Sequence, residues 1–306
     1  MNMPLFWRQE YFKLREDSDG KRLFFDGKAW KDSKDCTSLD LYPTLTIQMK
    51  SNIVKSPFSA TYGGVFIPRN YSYEGENLVG ELIKYLSNQN IERIEIYLAP
   101  EHLAYFEMSP SKEYIGSGFN LSYINTSHYI DLSKWHREDM SKGNRKKSRK
   151  AQESNYIFFE ATGENFRASY DLIVQNRLKF GAKVSLNFDE ISLLFEKFPN
   201  EYKCFALKTR DGELVASAFL VETSVENLYV HLWADSIAFR SESPVVLLME
   251  KLIELYSQKY KFLDLGTSGD DGAEIEGLVR FKNNLGAIRT GKKKVIWEAK
   301  STKDLH

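Results

Sequence analysis

The chain has 306 residues, a mass of 35.5 kDa and equal numbers of acidic and basic residues, so its net charge is zero. This length suggests two domains of about 150 residues each. The neutral balance excludes a global field that binds polyanions, although not a local basic patch. The mean hydropathy of -0.44 and the lack of a long uncharged apolar run predict no membrane-spanning helix.

The short motifs that define several enzyme classes do not occur in this sequence. The two cysteines, Cys36 and Cys204, have neither metal-ligand spacing nor the pattern of a disulfide framework. The N-terminal residues lack the apolar core of a signal peptide, which predicts a reducing, cytoplasmic location. No P-loop, GxGxxG, GxSxG or HExxH pattern is present. These absences argue against metallohydrolases, dinucleotide dehydrogenases and α/β-hydrolases, and we predict no metal site.

Helical and strand periodicities alternate along the chain, which predicts an α/β (α+β) protein. The first thirty-five residues alternate charged and aromatic side chains, with turns predicted at Gly20 and Gly27. Further strands are predicted at 45–49, 91–98, 121–130, 156–160, 202–208, 214–222, 228–234, 262–265, 287–290 and 293–298. Helices are predicted at 76–90, 166–180, 188–197 and 244–260, and a last one ends near 284.

One order of elements occurs twice. Residues 76–98 and 243–265 each give an amphipathic helix, a polar break and a strand rich in Ile and Leu. Helix followed by strand recurs in any α/β protein, so this similarity alone leaves two interpretations open. The second interpretation is a tandem of two copies of one fold.

A basic segment separates the two halves. Residues 134–150 contain eight basic and two acidic residues in an otherwise neutral chain. On a helix, Lys142, Lys146 and Lys150 form one row, while Arg145 and Arg149 form another. This segment is either a solvated face or a site for phosphate groups, which Arg and Lys bind through charge-assisted hydrogen bonds. The change in composition predicts a domain border here.

The most informative stretch is residues 262–290, FLDLGTSGDDGAEIEGLVRFKNNLGAIRT. Lys282 falls on the same helical stripe as the apolar residues Ile275, Leu278, Val279 and Leu285. A buried ammonium is costly unless it is paired. Lys282 therefore either extends to the edge of the stripe or points into a polar pocket. Asp264 stands between Leu263 and Leu265 and is either a pocket group or an outward-facing strand residue.

Two further features leave a choice between packing and binding. The dipeptide Gly63-Gly64 after Tyr62 allows a close approach of the backbone to a ligand, but a simple turn explains it equally. Ser243-Pro244 opens a helix, as proline does at a first turn.

Three stretches of this sequence resemble the FemABX-like acyltransferases of the GNAT superfamily. The first is NRKKSRKAQESNYIFFEA at 144–161, similar to the family's basic helix that enters a strand. The second is the Ser243-Pro244 helix start, which follows a strand with the aromatic residues Tyr229 and Trp233. The third is residues 262–288, similar to the family's Asp-x-Gly turn and its Phe-Lys helix. The resemblance covers about 120–298, and earlier in the chain it depends on SATYGGVF at 59–66.

The resemblance implies two tandem GNAT-like subdomains, each a mixed, largely antiparallel sheet flanked by helices. Residues 1–134 would form a diverged N-terminal subdomain, and 135–306 a C-terminal one with a basic helix at 138–152. It also places Lys282 near a reaction centre. The chain departs from the pattern in two ways. It lacks the charged helical arm of some members, and FRSESPVV at 239–246 replaces the usual acyl-CoA phosphate loop.

The function that the resemblance implies is acyl transfer to an amine in a bacterial cytoplasm. The product would be an amide on a cell-envelope precursor or on an amino or nucleotide sugar of polysaccharide biosynthesis, with acyl-CoA as the favoured co-substrate and no tightly bound cofactor. Alternatives are a FemX-type aminoacyltransferase that uses aminoacyl-tRNA, and a non-catalytic binding module. No DNA partner is expected. The catalytic candidates are Lys282 and Asp264, and the candidates for substrate or donor binding are Arg145, Arg149, Lys150, Tyr62, Gly63, Gly64, Trp233, Ser243, Arg280 and Phe281.

Overall fold

The computed structural model describes residues 3–15, 19–32, 41–58, 60–68, 71, 77–103 and 111–299. Within these ranges the strands are β1 (Gly20–Phe25), β2 (Trp30–Asp32), β3 (Thr44–Lys50), β4 (Ile53–Ser56), β5 (Arg93–Tyr97), β6 (Asn120–Asp131), β7 (Ile157–Glu160), β8 (Tyr202–Lys208), β9 (Leu214–Ser224), β10 (Asn227–Asp235), β11 (Phe262–Thr267), β12 (Gly269–Asp270), β13 (Ala273–Glu274) and β14 (Ile288–Glu298).

The helices over the same ranges are α1 (Gln9–Arg15), α2 (Leu78–Ser87), α3 (Ser111–Gly116), α4 (Lys142–Glu153), α5 (Gly163–Lys179), α6 (Phe188–Lys197), α7 (Pro244–Tyr256) and α8 (Glu276–Asn283). A 3-10 turn at Arg240–Glu242 precedes α7. No helix in this described part of the chain combines the length and apolarity needed to cross a bilayer.

The chain forms two compact units that do not follow each other simply in sequence. Unit 1 takes residues up to 127, 269–274 and those from 290 onward, and unit 2 takes 128–268 and 275–289. The sequence predicted one border at 134/135, with all of the C-terminal strand in the second subdomain. In the structure Lys294–Glu298 pair with β5, so this segment belongs to unit 1. The basic helix predicted at 138–152 is Lys142–Glu153 in the structure, because Ser141 caps its first turn.

Unit 1 has a sheet with the strand order β2-β1-β3-β4-β5-β14. Its neighbouring strands pair antiparallel except β4 and β5, which are parallel. Helix α2 begins after Asn77, whose side chain accepts a hydrogen bond from the Gly80 amide. The buried face of α2 packs on the sheet in a core that includes Leu82, Ile94 and Val295.

Unit 2 has the strand order β11-β10-β9-β8-β7, and residues 128–131 of β6 lie beside β11. The pairs β7–β8, β8–β9 and β9–β10 are antiparallel, whereas β10 and β11 are parallel. One core contains side chains of α4, α7 and the sheet. A second core contains side chains of α5, α6 and the strands β8 to β10. Unit 2 is therefore a mixed sheet with helices packed on it.

The elements predicted in the second half occur in the structure, with ends that differ by up to four residues. The strand 202–208 has the predicted bounds, and α7 ends four residues earlier than predicted. The two strands predicted at 287–290 and 293–298 form one continuous strand, β14. The repeated order of helix and strand is also present, as α2–β5 and α7–β11, and in both cases the strand pairs in parallel with a neighbour.

Candidate functional site

Strands β10 and β11 pair over only three residues and then separate. Their parallel register joins Asn227–Tyr229 to Phe262–Asp264 in the described structure, although both strands continue beyond it. A cavity of about 540 Å³ lies where they part, and its wall includes the second half of β10, Leu265–Thr267 of β11, and residues of α5, α7 and α8. The separation of two neighbouring strands thus creates a concave site inside unit 2.

Lys282 is a buried cation on the wall of this cavity. Its side chain projects from α8 and is only 1% exposed. The Nζ atom donates hydrogen bonds to the backbone oxygens of Gly266 (2.9 Å) and Thr267 (2.7 Å), on the part of β11 beyond its pairing with β10. The sequence left two interpretations of Lys282 open. In the structure its side chain is buried beside the cavity and does not extend to the edge of the apolar stripe. An ammonium has three N–H donors, so one remains available to a ligand.

The surroundings of Lys282 bring its ionisation into the physiological range. Burial is the main cause that lowers the pKa of this ammonium to about 7. The nearby Asp264 carboxylate raises the pKa, and the positive charge of Arg177 lowers it further. Both the charged and the neutral forms are therefore accessible near pH 7. An amine with this property can stabilise a negative charge when protonated and accept a proton when neutral.

Asp264 is buried behind the turn of β11 that Lys282 contacts. It is 1% exposed, and its Oδ1 accepts a hydrogen bond of 2.7 Å from the Gly266 amide. Gly266 has φ +71°, and an added Cβ would come within 3.2 Å of the Tyr229 ring. The carboxylate thus holds the turn that presents two carbonyls to Lys282. The outward-facing alternative for Asp264 is wrong.

Strand β10 supplies side chains of the opposite wall, and its pairing with β9 shifts register between Val230 and Leu232. Tyr229, His231 and Trp233 all contribute to the cavity. Trp233 packs against Phe281 of α8 with the ring centroids 5.3 Å apart, so two predicted binding residues are brought together. Arg280, next to Phe281, is exposed on α8, and its predicted binding role stays a prediction.

His231 and Arg177 belong to this site although the sequence analysis did not single them out. The Nε2 atom of His231 is buried and has no hydrogen-bond partner within the described part of the chain. Burial, and then the positive charge of Arg177, lower the pKa of His231 to about 4, so the imidazole is neutral at physiological pH. A buried polar atom without a partner is uncommon, and a bound ligand could supply that partner.

A polar network fixes the end of α5 to the end of β10. The Asn176 amide donates to the backbone oxygen (2.8 Å) and to Oδ1 (3.2 Å) of Asp235. Arg240 donates to the same Oδ1 at 3.2 Å. All three residues line the cavity, and their mutual bonds hold its outer wall.

The start of α7 forms another part of the wall. Ser243 has a left-handed backbone (φ 56°, ψ 46°), and Pro244 occupies the first helical position. Ser243 lines the cavity, and the unpaired amides of a helix N-terminus attract anions. The sequence predicted that Ser243 takes part in donor binding, and this role stays a prediction.

The basic helix α4 divides its cations between structural and free positions. Ser141 caps its N-terminus by accepting from the Asn144 amide. The Arg145 guanidinium donates to the backbone oxygens of Glu138 (2.6 Å) and Met140 (2.7 Å), so it fixes the preceding turn. Arg149 and Lys150 are exposed. The cavity instead includes Lys147 of this helix, which the sequence analysis did not select.

The predicted binding residues of unit 1 have packing partners in the structure. Tyr62 is 4% exposed and its ring contacts those of Phe6 and Trp7. The Trp7 indole donates to the Gly64 oxygen at 3.2 Å, and the Gly63 amide donates to the Tyr97 oxygen at 2.8 Å. These contacts account for the two glycines by close packing, and the role of Tyr62, Gly63 and Gly64 in acceptor binding stays a prediction.

Replacing Gly63 with alanine is expected to destabilise unit 1. The added Cβ would lie 2.5 Å from Ser56 Oγ and 2.8 Å from the Pro57 Cα, so the backbone must shift, at about 1–3 kcal/mol. Urea denaturation measures this loss. The control is Gly116→Ala, since a Cβ there meets nothing within 4 Å, and its effect should stay within about 0.5 kcal/mol. Equal stabilities of the two variants would show that Gly63 is not needed for packing.

The described ranges hold no group of three or more His, Cys, Asp or Glu side chains that could bind a metal ion. The cavity carries lysine, imidazole and guanidinium groups. These groups suit anionic ligands and transition states that develop negative charge.

The fold is that of the tandem GNAT class, in which each unit combines parallel and antiparallel strand pairs with packed helices. The chain is similar in structure to FemX, with a TM-score of 0.65 and 12% identity over 97% of this chain and 93% of that one. It is also similar to L-PGS from Bacillus licheniformis (TM-score 0.59, 13% identity, 86% and 83% covered). The chain is also similar to a tandem GNAT protein from the clavulanic acid biosynthesis pathway, with a TM-score of 0.50 and 9% identity over 85% of this chain and 79% of that one.

These structural similarities confirm the fold that the resemblance to the FemABX-like proteins predicted. No family model matches the chain, and no curated protein matches its sequence. At identities this low the comparison supports the architecture alone. The function must be argued from the cavity.

Proposed function

We propose that this protein is an N-acyltransferase that moves an acyl group from an activated carbonyl to an amine and forms an amide. The observation that carries the proposal is Lys282, a buried ammonium with one free N–H donor beside a cavity of about 540 Å³. A preorganised donor in a site that excludes water stabilises a developing oxyanion strongly. Two backbone carbonyls fix this donor in place before any ligand binds.

The proposed reaction has two bond changes. The amine nitrogen of the acceptor attacks the carbonyl carbon of a thioester or ester, and the carbonyl electron pair moves onto oxygen. The third N–H of Lys282 stabilises that negative oxygen. The intermediate then collapses, the C–N bond stays, and the bond to the leaving thiolate or alkoxide breaks. The proton lost by the amine passes to a base and then to the leaving group.

The cavity offers His231 as the first acceptor of that proton. Its imidazole is neutral, and its Nε2 has no hydrogen-bond partner among the described residues. Asp264 has no place on the cavity wall, which is formed at that point by Leu265–Thr267. We therefore assign Asp264 a positioning role, in which it supports the turn under Lys282 and favours the charged ammonium.

The remaining residues of the wall suit the binding of a donor with phosphate groups. Lys147 and Arg177 supply positive charge, and the amides that follow Ser243 open the helix α7. Trp233 and Phe281 give an apolar surface for an acyl chain or a base. Arg149 and Lys150 lie exposed on α4, where they could contact phosphates further from the reaction centre.

Acyl-CoA is the favoured donor, and the amine of a cell-envelope precursor or of an amino or nucleotide sugar is the favoured acceptor. Aminoacyl-tRNA is the alternative donor, and the free cations of α4 favour it because a nucleic-acid backbone presents many phosphates. A binding module without catalysis is the third alternative. We favour catalysis over it because Lys282 keeps an N–H donor beside the cavity after its two backbone hydrogen bonds are made.

A thermal-shift panel tests the proposal. The ligands are acetyl-CoA and longer acyl-CoAs, mixed aminoacyl-tRNA, and UDP- and dTDP-sugars, with deacylated tRNA and free ADP as controls. A ligand at a hundred times its dissociation constant adds about 2.7 kcal/mol to stability, which is a readable shift. Stabilisation by acyl-CoA supports the favoured donor, and stabilisation by aminoacyl-tRNA alone supports the alternative. No response to any acyl donor would contradict the proposed function.

A further inference from the structure

Large apolar side chains lie exposed beside the cavity of unit 2. Leu178 is 68% exposed, Phe180 58% and Ile237 45%. Leu178 and Phe180 follow Arg177 at the end of α5, and Ile237 follows the last residue of β10. Leu178 is the most exposed large apolar side chain in the described ranges. Such positions expose apolar area to water at a cost in free energy.

Two sets of contacts join these segments into one surface. Asn176 hydrogen-bonds to Asp235, and the Arg240 guanidinium stacks over the Phe180 ring at 4.5 Å from its centroid. Arg240 also lines the cavity. We define the rim patch as Leu178, Phe180, Ile237 and Arg240.

The surroundings of the rim patch are basic. Residues 176–183 contain Arg177, Lys179 and Lys183 and no acidic residue, and both lysines are exposed. The helix α4 lies close to the 3-10 turn of Arg240, since Ser154 and Tyr156 just after α4 both donate hydrogen bonds to Glu242. Residues 142–150 of α4 contain six basic residues and no acidic one. This concentration of positive charge occurs in a chain whose net charge is zero.

The combination of exposed aliphatic groups and cations distinguishes among anionic partners. RNA would use the cations and could stack on Phe180, but the aliphatic side chains of Leu178 and Ile237 offer no stacking surface. An anionic lipid surface uses both kinds of group, because apolar side chains enter the interface and cations contact the phosphate headgroups. The composition of the rim patch therefore favours a membrane surface.

We propose that the rim patch docks unit 2 on an anionic lipid membrane. Leu178, Phe180 and Ile237 enter the headgroup region, and the cations around them contact lipid phosphates. This peripheral docking brings the cavity of Lys282 next to the membrane surface. It does not depend on the chemistry proposed for that cavity, so the two proposals can fail separately.

Vesicle sedimentation tests the docking. The full chain is mixed with vesicles of phosphatidylcholine alone, or with vesicles in which a third of the lipid is phosphatidylglycerol. We expect binding to the anionic vesicles only, weakened by salt because the cations contribute. The variant Leu178→Ser/Phe180→Ser should bind at least ten-fold more weakly, because two inserted apolar groups are lost.

The matched control is Leu193→Ser/Leu255→Ser, two exposed leucines on α6 and α7 of the same unit. It should bind vesicles as the unaltered chain does, and circular dichroism checks that both double variants are folded. Three results would overturn the proposal. The first is no binding to anionic vesicles. The second is an equal loss of vesicle binding in the two double variants. The third is binding of poly-uridylate RNA without binding of vesicles, when the rim substitutions leave the RNA binding unchanged.

Discussion

Replacing Lys282 with alanine is expected to lower kcat by about 100- to 1000-fold, the usual effect of removing one oxyanion donor. The reason is geometric, since Gly266 and Thr267 hold the Nζ atom at 2.9 and 2.7 Å and leave one N–H for the ligand. The assay follows the release of free thiol from acyl-CoA, or of deacylated tRNA, with the donor that the ligand panel selects. KM should change much less than kcat, because the interaction is made mainly in the transition state.

The control is Lys197→Ala, which removes an exposed lysine whose partner is its neighbour Glu196. Its kcat should equal that of the unaltered enzyme. A loss of less than ten-fold for Lys282→Ala, with the variant folded, would remove Lys282 from the mechanism.

The pH profile separates two roles for the same amine. With its pKa lowered to about 7, Lys282 is charged below that pH and neutral above it. A donor to an oxyanion needs the charged form, so kcat should fall as the pH rises through about 7. A general base needs the neutral form, so kcat would fall as the pH drops through the same value. We expect the first result. The pKa of His231, about 4, is too low for its titration to obscure this test.

Replacing Glu250 with alanine is expected to lower the free energy of unfolding by about 2–4 kcal/mol, through two lost hydrogen bonds and a cavity in the core. Glu250 lies on α7 and is 1% exposed. Its carboxylate accepts hydrogen bonds from Arg137 and from Ser148 of α4. The substitution thus removes the polar contact that joins the basic helix to α7. Urea denaturation measures the loss.

Glu254→Ala provides the comparison, one helical turn later on α7. Glu254 is exposed and pairs with Lys251 at the surface, where an ion pair contributes little. Its removal should change stability by no more than about 0.5 kcal/mol. Glu250→Gln should fall between the two alanine variants, because its amide oxygen still accepts a hydrogen bond. Similar losses for Glu250→Ala and Glu254→Ala would show that α4 is held by its apolar contacts alone.

The fold of the second half could be predicted from sequence because its signals are local. Strand β8 has the predicted bounds, and a turn at 210–212 separates it from β9. The assignment of residues 290–298 to unit 1 could not be predicted in this way. It depends on pairing between Lys294–Glu298 and β5, about two hundred residues earlier, and no local pattern encodes such a partner.

The site was predictable where one residue contradicted its surroundings. Lys282 stood out as a cation on an apolar stripe, and Asp264 as a carboxylate between leucines. His231 did not stand out, because the register shift between Val230 and Leu232 that surrounds it is not encoded in a simple alternation of residues. Arg177 looked like an ordinary helix cation, because only the folded structure brings it to the cavity. For the same reason, Arg145 was selected from α4 although Lys147 is the residue on the wall.

The last strand has a consequence for folding during synthesis. Unit 1 needs residues 294–298 to cover the edge of β5, where Ile94 and Ile96 are fully buried. Those residues leave the ribosome only after every part of unit 2 has been made. Domains usually fold in the order of their synthesis, but here the N-terminal unit waits for the C-terminal strand with an unpaired sheet edge. A chain truncated after residue 289 should therefore bind chaperones at β5, whereas the full chain released from the ribosome should not.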